Sequence, residues 1–258
     1  MDYIVHFTTT PGRFFQLKPT ISSLLEQTPT PKHIIVSIHV PAESASVDQD
    51  TRLRAELTEK YKGLITLHFL TKDMGPSTKI YGILHYFKEN GITKDYPSVL
   101  ICDDDIIYHP SLVKNYSTTN TLSESRPGVL TQFRPTRGEP ERLLWTNHLQ
   151  GSDTYLLPPS FFEKTSLTLY DNYLNQTFNQ CPATFYQDDY IICYFIYFIL
   201  GFCIRTPDVI CTYTQRAVGT EGLSKHPKVN EREFQTITYF NKKIEAFIDK
   251  VGLRKMRK

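Results

Sequence analysis

The chain has 258 residues, 40% hydrophobic and 22% charged, which is enough for one large α/β domain and lacks the compositional signature of disorder. Its formal net charge of +2 is too mild for a nucleic-acid footprint, and the basic end, Arg254, Lys255, Arg257 and Lys258, reads as a solvated terminus. Five cysteines, an odd number without CxxC spacing, argue against structural zinc and against a disulfide framework.

In chain order, Tyr3-Ile4-Val5-His6-Phe7 predicts a first core strand that begins too early to leave room for a signal sequence, so a cytoplasmic location is expected. A polar loop follows at Thr8 to Arg13, then helical spacing of apolar residues from Leu17 to Gln27 and a strand at His33 to His39. Charge alternating with Leu53 and Leu57 predicts an amphipathic helix over Gln49 to Tyr61, ahead of a strand at Ile65 to Leu70. This βαβαβ order predicts a doubly wound, mostly parallel sheet flanked by helices.

Asp73 to Lys79 carries a Gly-Pro bend into a helix through Ile83, Leu84 and Phe87. Further strands are expected at Val129 to Phe133 and at Thr154 to Leu157. Tyr190 to Ile204 is apolar but shorter than the roughly 20 residues a membrane span needs, so a buried helix is expected and no membrane span. A terminal amphipathic helix covers Asn230 to Val251. No repeat or low-complexity linker divides the chain, so residues 1–258 read as a single domain.

The most informative stretch runs from Ser98 to Tyr108, where an apolar strand ends in Asp103-Asp104-Asp105 and then resumes as Ile106-Ile107-Tyr108. Ligands of open α/β sheets bind at the carboxyl ends of strands, so a cation is expected beside these acids. With the chain extended, Asp103 and Asp105 point the same way and offer oxygen ligands to Mg²⁺ or Mn²⁺, with positions left for a diphosphate. The competing reading is a solvated turn, in which acids are common.

Four loops follow strands and share an expected rim: Thr8 to Arg13, Asp73 to Lys79, Asp103 to Asp105 and Gln187 to Asp189. Together they offer hydroxyls and cations for phosphate, metal ligands, and a second carboxylate pair at a helix start.

Several motifs in this order resemble the nucleotide-sugar glycosyltransferases of the GT-A fold, in particular those of chlorella viruses and related bacterial enzymes. Asp103-Asp104-Asp105 is similar to their DxD motif, and Thr8-Thr9-Thr10-Pro11-Gly12-Arg13 with Ser22 to Thr28 is similar to their opening segment. Asp73-Met74-Gly75-Pro76-Ser77-Thr78-Lys79 resembles a D-x-G-P-x-T-K segment. Gln150 to Tyr155 before Phe161-Phe162 resembles an acceptor-side strand, and Gln187-Asp188-Asp189 opens the late helix where relatives carry an acidic pair. The resemblance covers Tyr3 to about Pro207; from Val209 onward it is lost.

The resemblance implies a GT-A, Rossmann-like domain with a nucleotide-sugar half at 1–110 and an acceptor half with a C-terminal helix at 111–258. It implies transfer of a hexose or deoxyhexose from a nucleoside diphosphate sugar, with UDP favoured, to a hydroxyl of a glycan or glycoprotein. Thr8, Thr9, Thr10, Arg13, Lys79, Asp103 and Asp104 would face the donor, and Asp103 and Asp105 would hold Mn²⁺ or Mg²⁺. Asp188 or Asp189 would take the acceptor proton. Cys211 to Val229, with hinges at Gly219 and Gly222, is expected to close over the donor, with His226 completing the metal shell.

Rival readings are a phosphohydrolase, a sugar-phosphate nucleotidyltransferase and a non-catalytic carbohydrate-binding protein. A phosphohydrolase normally carries its acidic strand near the chain start. The nucleotidyltransferase lacks its early glycine-rich loop here, because Thr10 to Arg13 has one glycine.

Overall fold

The computed structural model of the protein describes residues 1–40, 55, 58–118, 122–123, 126–131, 154–205, 215–216 and 228–250. Its elements are β1 (Tyr3–Thr9), α1 (Leu17–Leu25), β2 (Ile34–His39), β3 (Ile65–Leu70), α2 (Thr78–Glu89), β4 (Ser98–Cys102), β5 (Ile106–Ile107), α3 (Leu112–Thr118) and β6 (Leu122–Ser123). There follow β7 (Arg126–Thr131), β8 (Tyr155–Leu157), α4 (Pro159–Lys164), α5 (Leu167–Gln180), α6 (Asp188–Tyr194), β9 (Cys203–Arg205), β10 (Gln215–Arg216) and α7 (Val229–Lys250).

The main sheet runs β3-β2-β1-β4-β8-β7-β6, with β9 on β7. Strands β3, β2, β1 and β4 are parallel, and β8 joins β4 antiparallel, so the fold is α/β with a mostly parallel sheet. Strict alternation along β1 explains why both sheet faces are covered. Tyr3, Val5 and Phe7 pack with α1 on one face, whereas Ile4 belongs to the core beneath α2 on the other. Leu17, Ile21 and Leu24 repeat at helical spacing and are fully buried, each contributing about 1.5–3 kcal/mol relative to an exposed position.

Two expectations change. The apolar run from Tyr190 to Ile204 is not one helix: α6 ends at Tyr194, a wider turn spans Phe195–Ile199, and the chain becomes β9 after Gly201, whose φ is +71°. Periodicity alone does not separate a buried helix from a helix followed by a buried strand. The acidic strand also stops early, because pairing with β1 ends at Phe7 opposite Cys102 and the three aspartates turn before β5.

Most of the helix expected at Gln49 to Tyr61 lies outside the described residues, where positions 58–60 are helical. Among the described residues no helix is long and apolar enough to cross a membrane.

Candidate active site at the carboxyl ends of β1 and β4

Where β4 stops, the main chain of Asp103 loses its strand partner, and Tyr108 replaces it. The Asp103 amide donates to the Tyr108 hydroxyl at 2.7 Å, and that hydroxyl lies 3.3 Å from the Asp103 carbonyl. The chain therefore turns at the acids instead of staying extended. Asp103 and Asp105 are not set on one side by strand alternation as expected; each aspartate meets different partners.

Asp104 points inward. It is 6% exposed, accepts a 2.7 Å hydrogen bond from Thr9 Oγ1, and its carbonyl accepts from Thr20 Oγ1 at 3.1 Å. Thr10-Pro11 starts a tight turn, with proline in the first position, that carries Arg13 to the same place. Arg13 Nη2 lies 2.9 Å from Asp104 Oδ1 and 3.2 Å from Asp105 Oδ2, off the line of its N–H bonds, so the contact is mainly one of charge. Burial pushes the Asp104 carboxyl up to about 6, against the pull of Arg13 and Thr9. Asp104 thus anchors the turn through Thr9, Thr20 and Arg13.

Asp103 faces α2. Its Oδ1 lies 2.6 Å from Lys79 Nζ, which also reaches Asp188 Oδ2 at 3.0 Å. Burial raises the Asp103 carboxyl, and Lys79 offsets this only in part. Burial works against the charge of Lys79 as well, but the carboxylates of Asp103 and Asp188 outweigh it and hold the ammonium well above its ordinary value.

The Lys79–Asp188 contact spans 109 positions and is built by two loops packed together. Gly75 has φ +58°, and a Cβ there would lie 2.5 Å from the Phe185 carbonyl oxygen, so only glycine permits this approach. The Asp73 carboxylate accepts from the Gly75 amide at 2.8 Å and fixes the bend. Asp188 opens α6 from the other loop and is buried, with Asp189 half-buried beside it.

The sequence places Tyr155 only within a motif. It pairs with Ile101 across β4 and β8, is 2% exposed, and its buried hydroxyl has no hydrogen-bond partner among the described residues. Its charged neighbours are Lys79, Asp188 and Asp103, which places that hydroxyl in the cluster.

The structure thus brings together Thr9, Arg13, Lys79, Asp103, Asp104, Asp105 and Asp188. Thr8 is half-buried at the same strand end and Thr10 is exposed, its carbonyl accepting from the Arg13 amide at 2.9 Å. His226 and the hinges Gly219 and Gly222 lie outside the described residues. The described strand β10 pairs antiparallel with β5, Gln215 opposite Ile107 and Arg216 opposite Ile106, which brings the late chain beside the acidic turn.

Among the described side chains, four carboxylates, Asp103, Asp104, Asp105 and Asp188, meet two cations, Arg13 and Lys79, an excess of two negative charges in a partly buried cleft. Oxygen-only donors and this excess suit a hard divalent cation.

No protein-family model matches the chain, and no curated protein matches it. Among solved structures, the chain is similar to a galactosyltransferase, LgtC, in complex with donor and acceptor sugar analogues, at 13% identity and a TM-score of 0.49, covering 78% of this chain and 72% of that one. It is also similar to a 4-diphosphocytidyl-2C-methyl-D-erythritol synthase, at 11% identity and a TM-score of 0.44, covering 92% and 99%. TarS of S. aureus aligns at 15% identity and a TM-score of 0.44, covering 83% of this chain and 36% of that one.

Proposed function

We propose that the protein is a divalent-metal-dependent glycosyltransferase that moves a sugar from a nucleoside diphosphate sugar, UDP-sugar first, to a hydroxyl of a glycan or glycoprotein. The observation that supports this most is the cluster of four carboxylates at the carboxyl ends of β1 and β4 and the start of α6, with Arg13 and Lys79 beside it. In this reading residues 1–110 take the donor and residues 111–258 face the acceptor.

Asp103 and Asp105 would hold Mn²⁺ or Mg²⁺, which supplies Lewis-acid stabilisation of negative charge on the departing diphosphate. Arg13 places a guanidinium at the same strand ends, where it can contact phosphate. Asp188 accepts the proton of the attacking acceptor hydroxyl at its carboxylate. Lys79, between Asp103 and Asp188, positions both carboxylates through its ammonium. The Tyr155 hydroxyl, buried and without a partner among the described residues, has a hydrogen bond to give a substrate oxygen.

Calorimetry with UDP and other nucleoside diphosphates, with and without Mn²⁺, tests the reading. Binding should require the metal, and Asp105→Ala should remove the metal-dependent part. Equal affinity in the presence of chelator, or in that variant, overturns the assignment. Transfer from, or slow hydrolysis of, a nucleotide sugar then separates the enzyme from a carbohydrate-binding protein.

A further inference from the structure

A second cluster of metal-ligating side chains lies on the far part of α2. His68 on the edge strand β3 faces His85 and Glu89, one helical turn apart on α2. His68 Nε2 is 2.9 Å from Glu89 Oε2 and 3.2 Å from His85 Nδ1, and those two atoms are 3.4 Å apart. Glu89 is ten positions beyond Lys79, about 15 Å along the helix, so this cluster is separate from the aspartates.

The three contacts close a triangle of two ring nitrogens and a carboxylate oxygen, each able to offer a lone pair. A proton on one nitrogen relieves only the contacts that nitrogen makes, and the remaining pair still repels. A shared cation relieves all three. Three ligands of a tetrahedral zinc ion, at bonds of 2.0–2.1 Å, lie about 3.3 Å from one another, close to the spacing found here.

A buried hydroxyl holds the ring of His68 in place. Ser37 Oγ lies 2.8 Å from His6 Nε2 and 3.2 Å from His68 Nδ1. The His68 ring is thereby tied through Nδ1, and its Nε2 is turned toward Glu89 and His85. A ring nitrogen fixed in this way by a hydrogen bond on its opposite side is what a metal ligand requires.

We infer that His68, His85 and Glu89 form a binding site for one transition-metal dication of the zinc class, with a solvent ligand in the fourth position, tying β3 to α2. Its imidazole donors favour Zn²⁺ or Co²⁺ over the Mn²⁺ or Mg²⁺ suited to the aspartates. The inference stands whether or not the protein transfers sugars.

Titration of EDTA-stripped protein with Co²⁺ tests it. One equivalent should bind with the visible absorption of a tetrahedral site, be displaced by Zn²⁺, and raise the melting temperature. His85→Ala and Glu89→Gln, both on the partly solvated helix face, should each weaken binding at least about tenfold while keeping the wild-type circular dichroism, and Ser37→Ala should weaken it about tenfold through the lost orientation of His68. Asp103→Asn should keep the tetrahedral Co²⁺ bands of the wild type. Absence of tetrahedral bands in the wild type, or unchanged affinity in both His85→Ala and Glu89→Gln, overturns the site.

Discussion

Lys79 is held by two carboxylates that come from opposite halves of the chain, and its removal would leave Asp103 and Asp188 facing each other in a partly buried cleft. Breaking a buried pair by deleting one partner costs about 3–5 kcal/mol, because the remaining charges lose their compensation. Lys79→Met should therefore lower stability by about that amount in urea unfolding, and saturating Mn²⁺ should restore part of it if a divalent ion occupies the cleft. Asp188→Asn tests the other side of the same contact. It keeps the shape of the side chain and a hydrogen-bond acceptor for Lys79, so stability should change little, while kcat should fall by about 10²-fold or more as expected for a lost general base. Asp189→Asn should keep most of its turnover, because it is Asp188 that reaches the cluster. The opposite ranking in a steady-state assay would move the base to Asp189.

At the scale of elements, α2 lies very close to the sheet, and Gly82 is the reason it can. A Cβ at position 82 would lie 2.5 Å from Ser37 Oγ, 2.8 Å from Ser37 Cβ and 3.2 Å from His6 Nε2. Alanine gains about 1 kcal/mol of helix propensity, but the overlap is with buried side chains that have no room to move, and overpacking of this kind costs about 1–3 kcal/mol. Gly82→Ala should lose stability in thermal unfolding; a rise in melting temperature would show that α2 sits farther from β2 than it does here. Nothing local marks Gly82, whereas much else was legible. Alternation and length gave β3 at Ile65–Leu70, and amphipathic spacing placed α7 within one residue at each end. The turn at Asp103 to Asp105 was not legible, because it depends on where β1 ends and on Tyr108 replacing the strand pairing. The His68–His85–Glu89 triangle escaped for a similar reason: its members come from a strand and a helix whose packing depends on the whole sheet. Tyr155 was visible as a residue, but its lack of a partner is a property of the assembled core.

Over the whole molecule, the sheet separates two hydrophobic cores, and the core beneath α2 encloses His6, fully buried between Ser37 and the Lys79 main chain. Burial, assisted by the like charge of His68 beyond Ser37, lowers His6 from 6.5 to about 3. Between these values the unfolded chain holds a proton on this residue and the folded chain does not, so stability rises with pH across the window. The contribution is fully present above pH 6.5 and is lost progressively as pH falls toward 3. At pH 5, about 1.5 units below the unfolded value, the loss attributable to His6 is about 2 kcal/mol. His6→Gln retains a group able to hydrogen-bond Ser37 and cannot titrate. In EDTA, with His68 and His85 present in both proteins, the wild type should lose about 2 kcal/mol more than His6→Gln between pH 7 and pH 5 by urea unfolding. Parallel pH profiles would mean that His6 is protonated inside the fold, with both ring nitrogens donating.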